Sequence, residues 1–245
     1  MSDATRNPTK HAGPSTPRAL SGETLAGAPR DRGELLPALQ VTGGSRVEEA
    51  LILANRLHWS QTRKSTTIPY MGHLLGVASL VIEDGGSEDE VIAALLHDAV
   101  EDQGGAATLA AIWPRFGDAV ADIVDACSDT DQQPKPPWLA RKQRYVEHLR
   151  SAGAQVLRVS CADKAHNARA ILADHDALGD GVFRRFSAPR NLTLAYYSEL
   201  ATVFDERLPG GVARDLRRTV DALLMATEAP TPIELTALFW DPAPA

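Results

Sequence analysis

Residues 95–102 read LLHDAVED, and the reading of this stretch decides the fold. Val91 to Leu96, then Ala99 and Val100, are apolar on every side, so the spacing predicts a helix that belongs in a core. Ser87 and Glu90 form an S-x-x-E capping box at its start, and Gly104-Gly105 ends it. Yet His97, Asp98, Glu101 and Asp102 interrupt the run. Four titratable groups in such a place cost on the order of several kcal/mol each unless something compensates them.

Outward from this helix the pattern stays helical. Val47, Ala50, Leu51, Ala54 and Leu57 share one helix face. Pro69 is placed to open a second helix through Met71, Leu74, Leu75, Ala78 and Ile82, which Gly85-Gly86 closes. Further helices fit 106–116, 118–127, 138–151, 154–173, 189–207 and 211–227, with connections at 132–137 and around 176–188. No period-two run suggests a strand, and no internal repeat is visible. The expected class is all-α, a compact bundle of about eight to ten helices over 44–228. Residues 1–43 hold five prolines and five glycines without an apolar period, and read as a flexible N-terminal tail. Residues 229–245 read as a C-terminal tail.

Composition narrows the function classes. Lysine and arginine number 25 against 32 acidic residues, a net charge of −7, which argues against nucleic-acid binding. Cys127 and Cys161 have no CxxC partner, so a disulfide framework is not expected and a reducing cytoplasm is. No run of about 18 apolar residues marks a membrane span, and the N-terminus lacks the apolar core of a secretory signal.

The chemistry begins with His97 and Asp98. His97 and Glu101 are four apart, as are Asp98 and Asp102, so each pair stacks on one side of the helix. Carboxylates in a last helical turn oppose the macrodipole by up to about 1 kcal/mol, so a cation or a reaction is expected to hold them there. His73 in PYMGH and Asp163 in VSCADKAHN supply further donors. Two imidazoles and two carboxylates, His73, His97, Asp98 and Asp163, suit Mn²⁺, Fe²⁺ or Zn²⁺ and leave positions for water and a phosphate oxygen. Glu101 and Asp102, outside that set, are placed to position water and shuttle protons. His58, His148, His166 and His175 lack such a context; His166, beside Asn167, is a candidate for the site wall.

With these residues on the page, the sequence resembles the HD-domain phosphohydrolases and, more narrowly, the alarmone hydrolases: the hydrolase half of the Rel/Spo proteins and their single-domain relatives. The matching pieces are RKSTTIPYMGH (63–73), ALLHDAVED (94–102), WLARKQRYVEHL (138–149) and ADKAHNARA (162–170), with RNLTLAYYSEL (190–200) weaker. The resemblance implies hydrolysis of guanosine tetra- or pentaphosphate at the 3′ pyrophosphate. It implies manganese at His73, His97, Asp98 and Asp163, with Glu101 and Asp102 as the catalytic acids. It implies substrate contacts from Arg63, Lys64, Lys164 and Asn167, and also from Lys142 and Tyr196. It implies no synthetase activity, since the sequence leaves little room after Asp163, but allows functional pairing with an alarmone synthetase. Leu74 stands where the family often has Pro, and His166 where Tyr or Leu is common. Two other readings stay open. The same site could act on another phosphorylated nucleotide, such as NADPH, or the fold could be a non-catalytic nucleotide sensor or protein-binding module.

Overall fold

The computed structural model describes residues 45–129 and 134–241, and these are helical almost throughout. In chain order the helices are α1 (Arg46–Leu57), α2 (Met71–Glu83), α3 (Glu88–Leu96), α4 (Ala99–Gln103), α5 (Ala106–Phe116) and α6 (Asp118–Cys127). Then come α7 (Trp138–Ser151), α8 (Ala154–Leu178), a 3₁₀ helix (Gly179–Arg185), α9 (Arg190–Arg207), α10 (Gly211–Ala226) and α11 (Pro232–Trp240). The all-α class is as expected. Residues 1–43, read as a flexible tail, lie outside the described residues.

Helices α3 and α8 form the centre. Every residue of α3 from Glu90 to Leu96 is buried, as a helix apolar on all sides must be. The expected capping box is present: Ser87 Oγ accepts from the Glu90 backbone and Glu90 accepts from the Ser87 backbone. On the long α8, Ala162, Ala165 and Ala168 are fully buried, and these small side chains let neighbouring helices approach closely. Asp84, at the end of α2, joins four elements. Its carboxylate accepts from the Val212 backbone at the start of α10 and from Arg158 of α8, which in turn reaches Glu90 of α3.

Three expectations need correction. The run 88–103 is not one helix: it breaks at His97–Asp98, where Asp98 takes φ −94° and ψ −1°. Glu101 and Asp102 therefore sit in the separate five-residue α4 rather than in the last turn of a long helix, and the macrodipole argument for them falls away. The helix starting near 154 runs on to Leu178 rather than 173. The segment 229–245, read as a tail, forms α11 as far as Trp240, with Leu235 and Phe239 fully buried. Polar contacts anchor it to α9: Glu199 accepts from Trp240 Nε1 at 2.8 Å and from Thr236 Oγ1 at 2.5 Å. No helix among the described residues is long and apolar enough to cross a membrane.

Candidate metal centre and nucleotide pocket

The helix break gives His97 and Asp98 their geometry. Adjacent residues on a continuous helix diverge by about 100°, whereas here both side chains face the same neighbours. His97 Nε2 lies 3.0 Å from Asp98 Oδ2 and 3.6 Å from Asp163 Oδ1. His73 Nε2 lies 3.5 Å from Asp98 Oδ2 and 3.2 Å from Asp163 Oδ1. Helices α2 and α8 and the α3–α4 junction thus bring all four residues to one point.

These four fit a divalent cation. Among the described residues, His73 Nε2 and His97 Nε2 are buried and in hydrogen-bonding geometry with no group, an arrangement folded proteins rarely leave unexplained. Donors about 2.1 Å from one ion stand roughly 3.0 Å apart at right angles, which matches the observed separations. His97 Nδ1–H donates to the Ala94 carbonyl at 2.8 Å, which leaves Nε2 with a lone pair that could hold a cation. His73, His97 and Asp163 offer donor atoms within 4.8 Å of one another, and all three residues are buried. Burial alone would raise both carboxylates, but His97 for Asp98 and Lys164 for Asp163 outweigh it, and both are held well below the usual range.

The loop before α2 carries Arg63 and Lys64. A single antiparallel bridge joins Thr62 to Pro69, with Arg63 N–H donating to Ile68 O and Tyr70 N–H to Gln61 O, each at 2.9 Å. Ser65 at the tip takes φ 59°. Pro69 therefore closes this turn rather than opening the helix, which begins at Met71. Arg63 Nη2 donates to Asn167 Oδ1 at 2.9 Å, and Asn167 Nδ2 donates to Asp163 Oδ1 at 2.6 Å. A chain of contacts links the loop tip to the metal centre.

Beside the centre opens a cavity of about 620 Å³. All six residues expected to touch substrate line it: Arg63, Lys64, Lys142, Lys164, Asn167 and Tyr196. They are not equal in charge. Lys142 pairs with Asp129 at 2.5 Å and Lys164 with Asp163 at 2.6 Å, while Arg185, also on the wall, pairs with Asp174. Lys142 lies 5.3 Å from the Tyr196 ring centroid, and Lys164 lies 4.9 Å from that of Tyr145. Arg141 pairs with Asp129 as well, so it is not a spare cation for the pocket. Among the described residues of the wall, the basic side chains without a carboxylate partner are therefore Arg63 and Lys64.

Glu101 and Asp102 do not line this cavity. Glu101 accepts from Lys135 Nζ at 2.8 Å, and Asp102 Oδ2 accepts from Gln61 Nε2 at 2.7 Å. Desolvation in the cleft and the charge of Asp98 push the Asp102 carboxyl up to about 6, although the residue keeps an open edge to solvent.

Several neighbours escaped the sequence reading. Tyr70 donates to Asp98 Oδ2 at 2.6 Å and stacks on His58, ring centroids 5.3 Å apart at 22°. His58, set aside above, is buried and donates from Nδ1 to Gln61 Oε1 at 2.8 Å. His166 does more than line the wall: its Nδ1 lies 3.0 Å from His73 Nδ1, and burial lowers its pKa to about 4, assisted by His73. The local signals were faint, a His–Gln pair three apart and one unusual residue beside Asn167, because the contacts that matter span up to 104 residues.

Comparison with known proteins adds to this geometry. A guanosine-3′,5′-bis(diphosphate) 3′-pyrophosphohydrolase, MESH1, of Xenopus tropicalis is 37% identical over 124 residues, 49% of this chain and 66% of that protein. A probable GTP pyrophosphokinase of Mycobacterium leprae is 36% identical over 130 residues, 52% of this chain and 16% of that protein. The match thus spans just under two thirds of the frog relative and a small part of the mycobacterial one. A solved structure titled as a metazoan ortholog of SpoT that hydrolyzes ppGpp superposes with a TM-score of 0.57 at 20% identity, over 74% of this chain and 95% of that one, which speaks for the fold. A family profile described as HD domain matches residues 50–187, more than half of the sequence, and the chain accordingly belongs to the HD-domain family.

Proposed function

We propose that the chain is a metal-dependent hydrolase that removes the 3′ pyrophosphate of guanosine tetra- or pentaphosphate, giving pyrophosphate and GDP or GTP. The observation that carries this reading is the meeting of two buried imidazole nitrogens, without a hydrogen bond among the described residues, with two carboxylates at the edge of a cavity whose exposed loop bears Arg63 and Lys64. The activity for which the frog relative is named supports the same substrate.

His73, His97, Asp98 and Asp163 hold the cation, which we take to be Mn²⁺ on the strength of the resemblance and of a mixed N/O donor set. When bound, such a cation polarises a phosphoryl oxygen and lowers the pKa of water. The chain's own groups do the rest. Arg63 and Lys64 receive the phosphates, and an arginine fork suits phosphate oxygens bidentately. Tyr196 and Trp138, packed edge to face with ring centroids 5.7 Å apart at 78°, give the wall apolar aromatic surface for a base. Asn167 holds Asp163 in place while tying it to Arg63. Asp102, with its raised pKa, accepts the proton of the attacking water, and Glu101 beside it assists. Water adds to the phosphorus of the 3′ group, the ribose oxygen leaves, and one pyrophosphate is released per water consumed. A cytoplasmic setting and functional opposition to an alarmone synthetase belong to the same proposal.

The test is turnover of guanosine tetraphosphate by purified protein with Mn²⁺ or with chelator, beside NADPH at equal concentration. Metal-dependent release of pyrophosphate and GDP well above NADPH turnover is expected. Preference for NADPH would move the site to another phosphorylated nucleotide, and failure of both with metal bound would favour a sensor.

A further inference from the structure

We infer that His166 is a positioning residue which fixes the nitrogen His73 offers to the metal, and that Gly76 supplies its seat. His73 is 1% exposed and reaches the cluster through Nε2, while its Nδ1 stands 3.0 Å from His166 Nδ1. A hydrogen bond between two such nitrogens carries one proton. With that proton on His73, the neutral ring has a lone pair on Nε2, free for a cation. With it on His166, the proton of neutral His73 lies on Nε2, facing Asp98 and Asp163, and ligation there is blocked. Metal binding therefore selects the arrangement in which His166 accepts, and an acceptor behind a ligating imidazole holds the ring and strengthens it as a donor.

The two ligating histidines solve this problem differently. His97 donates to a backbone carbonyl of its own helix, Ala94 O. His73 instead meets a side chain 93 residues away in sequence. His166 lies three residues after Asp163 on α8, so one helix face presents a ligand and the acceptor for another ligand.

The seat is built on the facing helix. A Cβ placed on Gly76 of α2 would stand 2.3 Å from both Cδ2 and Nε2 of His166, well inside van der Waals contact. Only glycine at 76 leaves the imidazole where it reaches His73, one turn earlier on the same helix. The rings meet edge to face, centroids 4.8 Å apart at 64°. His166 and Gly76 thus act as a matched pair behind the metal centre.

The inference rests on reading His73 as a ligand, so its test uses Mn²⁺ alone, without nucleotide. The affinity of chelator-stripped protein for Mn²⁺ is measured by electron paramagnetic resonance of the free ion. His166→Phe keeps a flat ring without the acceptor, His166→Asn keeps an acceptor near the Nδ1 position, and Gly76→Ala displaces the native ring. His166→Phe and Gly76→Ala are expected to weaken Mn²⁺ binding by about 10- to 100-fold, the usual range for such supporting partners. His166→Asn is expected to stay close to the unmodified protein. Circular dichroism and melting with chelator check folding; if His166→Phe does not fold, Gly76→Ala set against His166→Asn carries the same contrast. Unchanged affinity in His166→Phe or a folded Gly76→Ala, with loss in His73→Ala, overturns the positioning role alone. Unchanged affinity in His73→Ala as well overturns the ligand reading and this inference with it.

Discussion

The Tyr70 hydroxyl donates to Asp98 Oδ2 at 2.6 Å, a short hydrogen bond to a carboxylate that also faces both metal-centre histidines. Tyr70 is the N-cap residue of α2 and the end of the Arg63–Lys64 loop, so one side chain joins loop, helix start and cluster. Tyr70→Phe keeps the ring against His58 and removes only the donor. A hydrogen bond to a charged acceptor contributes about 1.5–3 kcal/mol, so Mn²⁺ affinity is expected to fall roughly tenfold or more with the fold intact. Titration of metal into the stripped variant measures it, and an unchanged affinity would show the contact to be dispensable.

Metal binding is expected to release protons. Burial alone would lower the His97 pKa, but the Asp98 and Asp163 carboxylates outweigh it and hold it well above the ordinary 6.5 in the metal-free protein. With a raised folded-state pKa, the contribution of this charge to stability is complete below 6.5 and is lost as pH rises through the folded value. A cation must displace that proton, so Mn²⁺ affinity should strengthen from pH 6 to pH 8. Calorimetry in buffers of different ionisation enthalpy should find about one proton released per ion for this group. A pH-independent affinity would contradict it.

Glu101→Gln and Asp102→Asn separate proton transfer from metal holding. Both acids lie outside the four-residue cluster, so each variant should load metal nearly as well as the unmodified protein. Loss of a general acid or base costs about 10²- to 10⁴-fold in rate, and Asp102, the group pushed up to about 6, should show the larger loss. Single-turnover rates with metal content measured in the same samples decide this. Loss of metal from either variant would place that acid among the ligands.

The C-terminal helix is expected to behave as core. Phe239 is fully buried and stacks 6.1 Å from Tyr196. Phe239→Ala should cost about 3–5 kcal/mol, the usual range for emptying such a site. Chemical denaturation reads this directly, and a loss below about 0.5 kcal/mol, the level of a surface change, would return α11 to the status of an appendage.

Much of this was legible in sequence where local pattern suffices. The Ser87–Glu90 box, the apolar run behind it and the polar residues interrupting that run announced α3 and its ligands, because capping and periodicity act over a few residues. The break at His97–Asp98 was hidden, since no glycine or proline between Leu95 and Asp102 marks it. Helix α11 was missed because its two deeply buried residues, Leu235 and Phe239, are a thin stripe, and Glu199, which anchors Thr236 and Trp240, lies on another helix. The contact between His166 and His73 has no local signature beyond the unusual histidine itself, because the two lie 93 residues apart. The pairing of Lys142 with Asp129 was equally invisible, and it changes how much charge the pocket presents.

That pairing has a consequence for how a ligand arrives. Half-buried lysines already matched to carboxylates project little field into solvent, whereas Lys64 stands exposed beside Arg63. Among the described residues of the cavity wall, attraction at a distance thus comes from the loop bearing Arg63 and Lys64, on a chain of net charge −7. At physiological ionic strength its reach is about 8 Å, the screening length. A compact polyphosphate fits inside that radius, while a long polyanion must also lie along the acidic exterior. Added salt should then slow capture of the ligand and leave its retention, governed by the enclosed contacts, nearly untouched.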